Sequence, residues 1–95
     1  MLVILAYDID TTDKSGHKRL QKILKISRRY LFHIQKSVFK GELSYQKLNK
    51  LRKEIYSVIN PKKDKVVIYK VESYSGLSGF DEEQIGKLTE FSNII

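Results

Sequence analysis

The chain has 95 residues, 41% hydrophobic and 31% charged, with no cysteine. That length supports one hydrophobic core and not two, the composition is that of a folded chain, and the missing thiols exclude disulfides, thiolate zinc sites and a cysteine nucleophile. Lysine and arginine number 18 against 11 acidic residues, a formal charge of +7 that points to a polyanionic partner.

The longest apolar run, residues 1–7, is too short to cross a bilayer and lacks the basic leader of a signal peptide, so no membrane is expected and the cytoplasm is the expected compartment. Within that run, residues 2–7 are continuously apolar and closed by Asp8 and Asp10, which predicts a central strand buried on both faces. Asp13 is placed to cap a helix over residues 14–29, whose apolar positions Leu20, Ile23 and Leu24 recur with helical spacing. At about 100° per residue, Lys18, Lys22, Lys25 and Arg29 fall in one stripe opposite that apolar face. No acidic residue interrupts positions 14–41, so Lys14 and the stripe form an unmixed cationic surface suited to phosphates.

Residues 32–43 are read as extended, kinked or folded into a very short hairpin. Ser44 should cap a second helix with Leu48, Leu51, Ile55, Val58 and Ile59 on its buried face, stopped at Asn60-Pro61. Val66, Val67, Ile68, Tyr69 and Val71 make residues 65–72 a largely covered strand. Serines and glycines then suggest a flexible connection over residues 73–79, and residues 91–95 a last short strand that needs a neighbour's edge to pair with. The element order predicts an α+β, ferredoxin-like split βαβ sandwich in a single domain, with the last strand pairing across a homodimer.

Asp8, Asp10 and Asp13 bring hard oxygen donors to one strand end, a donor type that suits Mg2+ or Mn2+. The spacing favours Asp10 and Asp13 as loop and capping residues, which leaves Asp8, whose two copies across a two-fold axis would supply paired carboxylates. Strict alternation from Gln35 and Ser37 places Phe39 off the core face, free for a dimer contact or for stacking on a base. His17 and His33 are too far apart to suggest a zinc site, and no glycine-rich phosphate loop is present.

The strand end Ala6-Tyr7-Asp8-Ile9, the basic helix after it and Gln35-Lys36-Ser37-Val38-Phe39-Lys40-Gly41 resemble the small CRISPR-associated spacer-acquisition endonucleases. Residues 61–69 resemble that family's later strand, so the likeness runs through nearly the whole chain. It implies a ferredoxin-like homodimer in which Asp8 of each subunit holds a divalent metal. Arg19 or Arg28 would then be the family's helix arginine, Phe39 its catalytic-segment aromatic, and Ser37 part of the nucleic-acid surface. It further implies a partnership with the CRISPR integrase and substrates among double-stranded DNA and single-stranded RNA. Lys40 stands where an acidic residue is frequent in the family, and the start of the first helix is richer in lysine than in arginine. Two other readings stay open, a toxin-like endoribonuclease of the same fold and a DNA-bridging module without catalysis.

Overall fold

In chain order the elements are β1 (Leu2–Asp8), α1 (Lys14–Tyr30), β2 (Phe32–Gln35), β3 (Val38–Glu42), α2 (Tyr45–Val58), β4 (Lys65–Tyr74) and β5 (Leu77–Gly86). They come from a computed structural model that describes residues 1–74 and 77–86. The strands form one sheet in the order β2-β3-β1-β4-β5. All four pairings are antiparallel, and β1 lies in the middle as expected.

Both helices start on the residues foreseen for them. Asp13 Oδ1 accepts the Gly16 N–H at 2.8 Å, and Ser44 Oγ accepts that of Lys47 at 3.2 Å, each satisfying one of the donors that a helix start leaves free. α1 ends where Leu31 turns extended, with Arg28 and Arg29 in its last turn, where cations complement the helix dipole. α2 ends one residue before Ile59, ahead of Asn60-Pro61.

Register places the core. Leu5 lies opposite Phe39 on one side and Ile68 on the other, and Val66 lies opposite Ile85, so these residues share a face. That face packs with Ile23 and Ile26 of α1 and with Leu48, Leu51 and Ile55 of α2. The opposite face carries Leu2, Ile4, Ala6 and Asp8 of β1, with Val67, Tyr69 and Val71 of β4 as their partners. Among the described residues no helix covers it. β1 is therefore fully buried on one face and half-buried on the other, rather than buried on both.

Residues 32–43 fold as the short hairpin, β2 and β3 joined through residues 36–37, with a register shift between His33 and Gln35. The shift and the turn reset the alternation, and Phe39 points into the core at 0% exposure. The expectation that it lies off the core face is corrected.

The expected connection at residues 73–79 overlaps the ends of two strands: Ser73 pairs with Ser78 and Glu72 with Gly79 as the β4–β5 ladder runs on to Tyr74 and Leu77, while residues 75 and 76 lie outside the described residues. Serine and glycine weaken a strand without preventing it when the neighbouring backbone offers a continuous row of partners. β5 escaped the sequence because its acidic stretch reads as a solvated charge cluster. In the fold, Ile85 is buried and Glu83 meets Arg52 of α2 at 2.7 Å. The expected strand at residues 91–95 lies outside the described residues. Among the described residues no helix is long and apolar enough to cross a membrane.

Candidate metal and nucleic-acid site

Asp8 is the last residue of β1 and is exposed, on the sheet face away from the helices and directly opposite Lys65. It borders a cleft of ≈ 410 Å³ lined by Tyr7, Ile9, Thr11, Leu20, Lys36 and Ser37. The hairpin turn reaches this cleft because Tyr7 ties it down. Its N–H donates to the Ser37 carbonyl at 3.1 Å and its hydroxyl to that of Lys36 at 2.8 Å. Burial pushes the Tyr7 hydroxyl pKa up, and the nearby Arg28 guanidinium works against that rise. The fold thus brings Asp8 together with Lys36 and Ser37, which lie far apart from it in the sequence.

The other two carboxylates near the strand end are engaged elsewhere. Asp10 Oδ1 accepts the Thr12 N–H at 2.9 Å and the Thr12 hydroxyl at 2.7 Å, and the hydroxyl contact chiefly holds its carboxyl below the ordinary range. Asp13 accepts from Ser15 and the Gly16 N–H and meets Lys63 at 3.1 Å, contacts that lower its carboxyl strongly, the Ser15 bond first. Both are the loop and capping residues of the plainer reading. No group of three or more metal-ligating side chains occurs among the described residues. Among the described residues of one chain, Asp8 alone is left as a free carboxylate at the site, so this donor set fits a hard divalent cation only when a second carboxylate is supplied.

Of the residues that the family likeness suggested for catalysis, Arg19 and Phe39 are occupied structurally. Arg19 Nε donates to Asp64 Oδ2 at 2.7 Å, and the Asp64 side chain is completely buried. Phe39 packs in the core with the His33 ring stacked on it, centroids 4.4 Å apart and planes 6° off parallel. Arg28 is exposed.

The cationic stripe is on the surface as its periodicity requires. Lys14, Lys18, Lys22 and Lys25 are all exposed. Arg29 differs, because Glu54 of α2 takes up its guanidinium together with the Tyr30 hydroxyl. Asp64 and Glu54 were not singled out in the sequence, since Asp64 sits among Lys62, Lys63 and Lys65 and Glu54 beside Lys53, where each looks like part of a solvated charge run. The one available signal was that Asp64 directly precedes a buried strand.

The model of the family CRISPR associated protein Cas2 matches residues 1–76. The chain belongs to the Cas2 family. It is 52% identical over 67 residues to the CRISPR-associated endoribonuclease Cas2 2 of Moorella thermoacetica, a stretch covering 70% of this chain and 74% of the relative. With the CRISPR-associated endoribonuclease Cas2 of Thermotoga maritima the identity is 44% over 73 residues, 77% of each chain. The crystal structure of Streptococcus pyogenes Cas2 at pH 6.5 superposes with a TM-score of 0.70 at 26% identity, covering 76% of this chain and 87% of that one. The ferredoxin-like fold is therefore shared with Cas2 proteins of known structure, and the matched segment contains Asp8, the cationic helix and the hairpin turn.

Proposed function

We propose that this Cas2 protein is a homodimeric nucleic-acid-binding subunit of the CRISPR spacer-integration complex that also cleaves phosphodiester bonds with Mg2+ or Mn2+. The observation that carries this reading is the position of Asp8, exposed at a strand end on the sheet face that no described helix covers. That face leaves Leu2, Ile4, Ala6 and Val71 half-buried, an apolar composition expected of a surface that packs on another molecule, while Val67 between them is already fully buried. A second copy on it would set one Asp8 against the other and complete the donor set. The paired Asp8 carboxylates would hold the metal, which when bound supplies charge stabilisation at a phosphoryl oxygen. Lys14, Lys18, Lys22 and Lys25 bind backbone phosphates without reading bases, and the Ser37 hydroxyl and Lys36 at the cleft orient the strand beside Asp8.

Duplex DNA and single-stranded RNA both present the phosphates that these cations recognise. The integrase is the expected protein partner. Magnesium-dependent cleavage and duplex binding, measured side by side for wild type and Asp8→Asn, test the reading. Asp8→Asn should abolish cleavage and leave binding intact or tighter, since it deletes an anion beside the substrate. Equal cleavage by the variant across a full metal titration would sink the paired-carboxylate mechanism. The single free carboxylate at the site among the described residues also favours a second reading, a DNA-bridging module without catalysis, in which case neither protein cleaves and both bind.

A further inference from the structure

We propose that the buried Arg19–Asp64 pair is a positioning device for Asp8, so that Arg19 acts on the site through the backbone and not by touching the substrate. The inference rests on the reading of Asp8 as the metal-holding carboxylate. Asp64 immediately precedes Lys65, the residue opposite Asp8 at the last rung of the β1–β4 ladder. Its carboxylate accepts the Asp10 N–H at 3.0 Å through Oδ1 and the Asn60 N–H at 2.9 Å through Oδ2. Arg19 Nε and Nη2 donate to the same carboxylate at 2.7 and 3.2 Å, and Nη2 also reaches the Asp10 carbonyl at 3.2 Å.

Both polar groups of the Asp10 backbone are thus held, two residues beyond Asp8, by one buried ion pair. Gly16 closes the third side, since a Cβ there would come within 1.9 Å of the Asp10 carbonyl oxygen. The chain leaving β1 is thus tied at Asp10 on both backbone polar groups. A carboxylate that must meet a metal and a twin carboxylate gains from a fixed backbone, because small misplacements cost large factors in rate and affinity. The forked guanidinium is the group suited to this task, since an ammonium cannot bridge Asp64 and a carbonyl with the same geometry. With its donors turned inward, Arg19 leaves phosphate contact to the exposed lysines.

The test compares wild type with Arg19→Gln, Asp64→Asn and the core control Ile55→Val, using Mn2+ titration of the full chain and duplex binding across a salt series. Arg19→Gln and Asp64→Asn should weaken Mn2+ binding by about tenfold, as loss of a residue supporting a metal ligand does, with the salt slope of duplex binding unchanged. Ile55→Val should lower stability and move neither. Wild-type Mn2+ affinity in both variants, or a salt slope that falls in Arg19→Gln, overturns the positioning role. Mn2+ binding that survives Asp8→Asn sinks the reading of Asp8 itself and the positioning role with it. Hydrogen exchange on the wild-type protein decides the matter if the variants do not fold. The Asp10 amide should then be protected as well as the β1 amides, and exchange at the rate of an open loop would overturn the clamp.

Discussion

Glu54 of α2 pairs with Arg29, the last cation of the α1 stripe, and so offsets its charge at the end of the surface that the lysines offer, although Arg29 stays exposed. Phosphate contacts should follow that division. Each phosphate neutralised on B-form DNA contributes about 0.9 to the slope of log affinity against log salt, and a dimer carries every contact twice. Lys22→Ala should therefore lower the slope by roughly 1 to 2 units, similarly for unrelated sequences. Arg29→Gln should change it less, and Glu54→Gln, which frees Arg29, should raise it. Fluorescence anisotropy across a salt series reads all three.

The same contact predicts a pH dependence. The Tyr30 hydroxyl first and the Arg29 guanidinium second hold the Glu54 carboxyl below its ordinary value of 4.5. A carboxyl whose folded pKa is depressed stabilises the fold fully above its unfolded value and loses that contribution as pH falls through the folded one. The melting temperatures of wild type and Glu54→Gln should differ at neutral pH and converge as the pH drops below about 4.5. A constant difference down to pH 3 would mean that the Tyr30 and Arg29 bonds do not favour the ionised form.

Phe39 has no exposed surface from which to stack on a base. Phe39→Ala should cost about 3 kcal/mol of stability, the penalty of emptying a packed aromatic site, and Phe39→Leu clearly less. Denaturant unfolding gives the first quantity. Cleavage by Phe39→Leu, assayed where the protein is folded, should stay close to wild type, and a large loss there would return Phe39 to the chemistry.

Gly16 offers a prediction whose sign opposes helix propensity. Alanine is favoured over glycine by about 1 kcal/mol inside a helix. At this position, however, the added methyl would meet the Asp10 and Thr11 backbone, which a loop fixed by Arg19 and Asp64 cannot yield. Gly16→Ala should lower the melting temperature, and a rise would show that the β1 exit is looser than the hydrogen bonds imply.

Much of this organisation was legible in the residues. The apolar run ending at Asp8, the Asp13 and Ser44 caps, the stop at Pro61 and the stripe on α1 all follow from local rules of periodicity and capping, and each stands in the fold. What local rules missed depends on partners distant in sequence. The pairing of Arg19 with Asp64 spans 45 residues, and β5 is stabilised by Arg52 from another element. Phe39 was misassigned because one shifted register inverts the facing of everything after it, and nothing in the residues themselves marks that shift.

The pairing of the two Asp8 carboxylates is tested most directly by the stoichiometry of Mn2+ binding to the purified full-length chain, determined by titration calorimetry for wild type and Asp8→Asn. One ion for every two chains, lost in Asp8→Asn, is the expected result. One ion per chain, or binding that Asp8→Asn leaves unchanged, would contradict it.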